Sequence, residues 1–258
     1  MQTIGVCDTL DIGPANGLQL EVEGRRGVSD DDLILRAAAA LDEGGGRGAR
    51  IRLDKRIPVA AGLGGGSSDA AAALRGLNEL WRLGLSDVQL AEAGAGLGAD
   101  VPFFVYGGTA LAEGRGERVT PLPAPPPVWL VLLAPPFELP EKTKRIYAAL
   151  TPADYSDGSR AEALVGRIRG GGPVDDSGLY NVFERVAYEV FAGLGSYRDA
   201  LLTAGARRVH LAGSGPALFA LGADEEAARS VHARLRLTGG QAFVVRTLTA
   251  AEALRREG

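Results

Sequence analysis

The sequence predicts an α+β protein of two domains. Three observations carry this. Strand-like and helix-like segments mix without the strict alternation of a doubly wound sheet. The chain has 258 residues, room for one large or two modest domains with a sizeable core. A proline-rich stretch, PLPAPPPVW from Pro121 to Trp129, interrupts the pattern near the middle. The boundary is placed there, giving domains 1–124 and 125–258.

The elements follow in order. GLQLEVEGR, Gly17 to Arg25, alternates apolar and polar residues and predicts a half-buried strand. DDDLILRAAAALDE predicts a helix with acids at its dipole-favoured start, ended by EGGGRG. ARIRLDKRIPV predicts a strand, and a glycine loop follows it. A helix is expected from about Ser68 to Leu83, then another over SDVQLAEAGAGLG with Ser86 as its N-cap. ADVPFFVYGGTALAEGRGERVTPL predicts strands joined by tight glycine turns. Beyond the prolines, VWLVLLAPP predicts a buried strand. EKTKRIYAAL, LYNVFERVAYEVF and SYRDALLTAGA predict helices. RVHLAGSGPALFALG predicts a strand, a second glycine turn and a strand. DEEAARSVHARLRL predicts a helix and QAFVVRTL a last strand.

Composition narrows the function classes. Charged residues make up 23% and hydrophobic residues 46% of the chain, as in a soluble globular protein. A net charge of -4 argues against a nucleic-acid partner. Apolar runs such as VWLVLLA are far too short to span a bilayer, so no membrane partner is expected. MQTIGVCDTL lacks the basic region and long apolar run of a secretory signal. Cys7 is the single cysteine, which excludes an internal disulfide and suits a reducing cytoplasm. It is expected to be a structural thiol, since nothing near it in sequence would lower its pKa. His210 and His232 lie far apart and no cysteine cluster exists, so no metal-ligand spacing is present. Lysine occurs only at Lys55, Lys142 and Lys144, which leaves few lysines for phosphate contact.

The most informative stretch is IPVAAGLGGGSSDAAAALRGLNELW, Ile57 to Trp81. Glycine adopts positive φ and admits close approach of a ligand to the backbone. Glycines at a helix start aim several N–H groups at one point, and the helix dipole adds partial positive charge there. This is an anion site, with phosphate the usual anion. Ser67 and Ser68 add hydroxyls that reach a phosphate. Asp69 suits the dipole in the first turn, or sits near a divalent cation. The plain alternative is a tight turn packing a helix on a sheet. A Walker loop fails for want of Gly-Lys-Ser/Thr. A dinucleotide fingerprint expects an acid ending the next strand, whereas Glu79 falls inside the expected helix.

PVAAGLGGGSSDAAAAL resembles the ATP loop of the GHMP kinase superfamily. Its Gly-Gly-Gly-Ser-Ser-Asp form is similar to the branch that phosphorylates the 2-hydroxyl of 4-diphosphocytidyl-2-C-methyl-D-erythritol in non-mevalonate isoprenoid synthesis. Other stretches agree, in the right order over essentially the whole chain. DDDLILRAAAAL resembles the family's Asp-Asn-Leu helix, with Asp32 where asparagine is usual. GADVPFFVYGGTALAEGRGE, LYNVFE and LAGSGPALFAL resemble further family motifs.

The resemblance implies a two-domain fold, with a ribosomal S5 domain 2-like N-terminal domain and a ferredoxin-like C-terminal domain. It implies ATP and Mg²⁺ as cofactors and a small-molecule substrate, handled by a cytoplasmic monomer or homodimer. Pro58, Val59, Ala60, Ala61, Gly62, Leu63, Gly64, Gly65, Gly66, Ser67 and Ser68 match the loop that wraps the triphosphate. Lys55 matches a lysine near the adenosine, the plain alternative being a solvated charge at a strand end. Asp100 matches the catalytic acid/base and is expected to project toward Gly62–Ser68. Gly213, Ser214 and Gly215 match the loop on the substrate diphosphate side, or form a simple hairpin turn. Asn181 belongs to the Asn-x-x-Glu helix and is counted with the substrate residues. The resemblance also implies a lysine-bearing strand and a Gly-Tyr-His stretch ahead of the part matched by Met1. No residue here matches either, so either the start is placed too late or the first strand is missing, and the chain as written is expected to be poorly stable and weakly active. A kinase for another small alcohol and a non-catalytic binder on the same scaffold are the alternatives.

Overall fold

The computed structural model describes residues 1–23, 32–42, 44–137 and 139–255. The expected strand end at Gly24 and Arg25, the helix start at Asp30 and Asp31, and Glu43 lie outside them. The described residues divide into two compact units, and neither is one continuous stretch. The first comprises Met1–Ile57, Gly64–Pro121 and the chain from Thr249 onward. The second comprises Pro58–Leu63 and Leu122–Leu248.

In the first unit, β1 (Thr9–Gly13), β2 (Leu18–Val22) and β3 (Ala49–Asp54) form a sheet in the order β1-β3-β2. β1 runs antiparallel to β3, with Leu10 opposite Leu53, and β2 runs parallel to it, with Leu20 opposite Ile51. Along β3, Ala49, Ile51 and Leu53 are buried and alternate with exposed arginines, the period-2 signal that predicts the strand. α1 (Leu33–Leu41) is capped by Asp32, whose carboxylate accepts from Ile34 N. α2 (Gly65–Leu80), α3 (Asp87–Ala95) and α4 (Val101–Tyr106) follow. α2 buries Ala70, Ala73, Leu74 and Leu77, the i, i+3, i+4, i+7 stripe of a core helix. Ser86 caps α3 in a full capping box with Gln89. β4 (Thr109–Glu113) and β5 (Arg118–Leu122) form a hairpin.

Three expectations for this unit are corrected. VPFFVY is the helix α4, not a strand. Pro102 sits just inside its start, where a missing N–H costs nothing, and Gly107 ends it at φ 63°. The helix after the glycine loop begins at Gly65 rather than Ser68, because packing outweighs glycine's poor helix propensity there. Cys7 is exposed rather than packed. Desolvation and the neighbouring Asp8 raise its pKa, so the thiol is not activated.

The second unit begins its sheet with β6 (Trp129–Ala134), as expected. α5 (Lys142–Ala148), a 3₁₀ turn at Pro152–Asp154, α6 (Ser159–Arg169), α7 (Glu184–Val190) and α8 (Leu194–Thr203) lead to β7 (His210–Leu211). β8 (Leu218–Leu221), α9 (Glu225–Arg234) and β9 (Gln241–Arg246) complete it. The antiparallel sheet has the order β7-β8-β6-β9. With α9 linking β8 to β9, this is the ferredoxin-like arrangement. Its core joins Val131 and Leu133 of β6 to Val186, Leu194 and Leu201 of the helices. α10 (Ala250–Ala253) returns to the first unit, where a Cβ on Gly108 would stand 2.7 Å from Ala250 N. No described helix is long and apolar enough to cross a membrane.

Candidate active site

The glycine-rich stretch is divided between the units, and each half has its own reason for glycine. Gly64 is the N-cap of α2 at φ 71°, ψ 19°, and no side chain caps the helix. Ser68 N donates back to Gly64 O at 2.9 Å. The N–H groups of Gly65, Gly66 and Ser67 find no acceptor among the described residues. These are the orphan donors of a helix start, carrying its partial positive charge. A Cβ on Gly64 would meet the Phe104 ring at 2.7 Å, and one on Gly65 would stand 3.0 Å from Lys55 Nζ and Ile57 Cγ2. Ser68 Oγ donates to Gly65 O at 2.9 Å. The donor set fits a phosphate chain: clustered amides, no carboxylate cap and a dipole of the right sign.

Pro58–Leu63 pack within the second unit against the turn at Gly213–Gly215. A Cβ on Gly62 would lie 2.7 Å from both Ala212 O and Gly215 O, and one on Gly213 would lie 2.7 Å from Gly62 O. Here glycine permits backbone-to-backbone contact. Ala217 N donates to Ala61 O at 2.9 Å. Ala60 is held at φ 57°, strained for a residue with a Cβ. Val59 is exposed, while Pro58 and Leu63 are half-buried. Asn181 Nδ2 donates to Leu211 O at 2.9 Å and Gly213 O at 2.8 Å, and its Oδ1 accepts from Phe183 N at 3.0 Å. Its amide is thus fully engaged in bracing the turn. Ser214 is half-buried, and its hydroxyl has no partner among the described residues.

Lys55, at the end of β3, is not a solvated charge. Its ammonium pairs with Asp8 and, at 2.7 Å, with Asp69, which lies one turn into α2 rather than in the first turn expected from the sequence. Asp8 also accepts from Arg56 N at 2.5 Å and Ile57 N at 2.7 Å. Burial pushes the Asp8 carboxyl up, but these bonds outweigh it and hold the pKa low. Asp69 is buried, its Oδ1 has no partner, and desolvation pushes its pKa up to about 7. Burial pulls Lys55 down, but its two carboxylate partners raise it overall. Two carboxylates share one cation here, and Asp8 takes the ionised form. The sequence reading missed Asp8, because its bond to Lys55 spans 47 positions and no local pattern carries that.

Asp100 immediately precedes α4 and makes no capping bond. Desolvation raises its pKa above the ordinary aspartate range, although the residue reaches solvent. The segment bearing it is fixed beside the start of α2 on both sides. Phe104 covers Gly64, and a Cβ on Gly98 would stand 3.9 Å from Ser67 Oγ. The turn of the β4–β5 hairpin also lies close, with a Cβ on Gly116 placed 3.4 Å from Asp100 Oδ1.

An uncapped, glycine-built helix start beside a segment carrying a carboxylate of raised pKa is suited to holding a phosphate. The GHMP kinases N terminal domain matches residues 32–108, and the GHMP kinases C terminal domain matches residues 161–241. The chain belongs to the GHMP kinase family, whose members are ATP-dependent. It is 43% identical over 251 residues to 4-diphosphocytidyl-2-C-methyl-D-erythritol kinase of Dehalococcoides mccartyi, covering 96% of this chain and 88% of that one. The same enzyme of Pelotomaculum thermopropionicum is 46% identical over 253 residues, with the same coverage. A crystal structure of 4-(cytidine 5'-diphospho)-2C-methyl-D-erythritol kinase superposes with a TM-score of 0.77 at 36% identity, covering 95% of this chain and 87% of that chain. Homoserine kinase of Cytophaga hutchinsonii, at 18% identity and a TM-score of 0.70, shares the fold.

Proposed function

We propose that this chain is a cytoplasmic ATP-dependent kinase that phosphorylates the 2-hydroxyl of 4-diphosphocytidyl-2-C-methyl-D-erythritol. The observation carrying this reading is the uncapped start of α2, fixed beside the segment that bears Asp100, in a chain so close to enzymes of that name. The backbone N–H groups of Gly65, Gly66 and Ser67 hold phosphate oxygens, with the Ser67 and Ser68 hydroxyls beside them. Pro58–Leu63, just before these residues in the chain, belong to the same loop motif. Lys55 serves the same site by fixing Asp69 under the helix start. Gly213, Ser214 and Gly215, braced by Asn181, face the substrate diphosphate. When bound, ATP supplies the transferable phosphoryl group and Mg²⁺ offsets its charge. Asp100 accepts the proton of the attacking hydroxyl, and its raised pKa makes it a stronger base than an ordinary aspartate.

Asp100→Asn tests the assignment. It keeps shape and one oxygen but removes the proton acceptor. Turnover is expected to fall ~10²–10⁴-fold, with the melting temperature and ATP affinity close to the parent's. In the parent, kcat/KM should rise with pH as Asp100 ionises, and the variant should lose that limb. Full activity in the variant, or a loss explained wholly by unfolding, contradicts the assignment.

A further inference from the structure

The second unit holds a lysine that the proposed chemistry leaves unused. Lys142, the first residue of α5, is half-buried, and its ammonium donates to Ala60 O at 3.0 Å and Gly215 O at 2.6 Å. The ion pairs of the other two lysines are to Asp8, Asp69 and Glu141, and no carboxylate pairs with Lys142 among the described residues. Burial alone pulls its pKa below the ordinary lysine range, as expected of a cation answered only by carbonyl dipoles.

The two carbonyls lie 82 and 73 positions away in sequence, one in each glycine-rich segment of this unit. Ala60 is the strained residue of the Pro58–Leu63 segment, and such a conformation persists only where its surroundings enforce it. Gly215 closes the facing turn at φ 72°. Between them, Gly62 and Gly213 approach backbone to backbone, and nearby the Ala217 N–H donates a hydrogen bond to Ala61 O.

We propose that Lys142 is a positioning residue for nucleotide binding: its ammonium clips the Pro58–Leu63 segment to the Gly213–Gly215 turn. The glycine segment is thereby set before nucleotide arrives, so less ordering remains to be done on binding. The inference rests on the kinase reading only for the identity of the ligand.

Lys142→Met removes the donors and keeps the aliphatic stem, while Lys142→Arg keeps charge and donors. The first measurement is hydrogen exchange of the Ala217 amide in the ligand-free chain, which needs no activity. Exchange should be about tenfold faster in Lys142→Met, the scale of one charge-assisted hydrogen bond, and near the parent rate in Lys142→Arg. The second is the split between KM and kcat. KM for ATP should rise about tenfold in Lys142→Met, kcat should stay within about threefold, and Lys142→Arg should recover most of the loss. Parent-like Ala217 exchange and parent-like KM in Lys142→Met overturn the proposal. So does a lowered melting temperature with KM and kcat changed together. If the parent transfers no phosphate but Ala217 exchange responds as expected, the clip stands and the kinase reading fails. If the parent transfers phosphate and Ala217 does not respond, the reverse holds.

Discussion

At the residue scale, burial decides what each acid can do. Asp8 and Asp69 both reach the ammonium of Lys55, but only Asp8 also accepts two backbone amides. Asp69 has one oxygen on Lys55 and one buried without a partner. Ionising it leaves a charge half answered in a poorly solvated place. Its folded pKa of about 7 lies above the ordinary 3.8, so the native state keeps a proton that the unfolded chain releases. The stability from that proton is fully present below about pH 4 and fades as pH rises through about 7. Asp69→Asn should remove this decline. Melting temperatures of the two chains, measured from pH 4 to pH 8, should therefore show a steeper fall with pH in the parent. The same pH dependence in both would mean that Asp69 is ionised throughout.

At the element scale, the start of α2 sets where glycine is required. Gly64 needs its positive φ and lies under Phe104, whereas Gly66 is helical and a Cβ there would meet only Leu33 Cδ1, at 3.5 Å. Gly66→Ala should melt at or slightly above the parent, since alanine favours the helix by about 1 kcal/mol. Gly64→Ala should be destabilised by ~2–4 kcal/mol, from left-handed strain and overlap with the ring. Thermal melts of the two variants check this, and equal melts would show that the turn tolerates a side chain. Much of this region is legible in sequence. The alternation of β3, the capping signal at Ser86 and the glycine-serine run all carry local patterns. α4 is misread because Val-Pro-Phe-Phe-Val-Tyr joins strand-favouring residues to burial on most sides, which erases the helical period. Pro102 near its start and Gly107 at its end were the usable cues. α6 escapes notice for the opposite reason: only Ile168 is buried along it, so no apolar stripe marks it. Lys142 and Asp8 act through contacts far away in sequence, and no spacing rule reaches them.

At the scale of the whole molecule, the two units exchange chain. Residues 58–63 leave the N-terminal stretch to join the second unit, and the chain from Thr249 returns to the first. A cut after Pro121 would therefore give two fragments, each lacking a piece of its own unit. The resemblance between this chain and its relatives spans both units, so the account stands or falls on one reaction of the intact protein. The most direct measurement is ³¹P NMR of the intact chain incubated with ATP, Mg²⁺ and 4-diphosphocytidyl-2-C-methyl-D-erythritol. The predicted result is a new phosphomonoester signal on the 2-hydroxyl, growing with ADP and absent when homoserine or mevalonate replaces the cytidyl substrate. No ATP-dependent signal with the cytidyl substrate, or equal transfer to the other alcohols, would contradict the account.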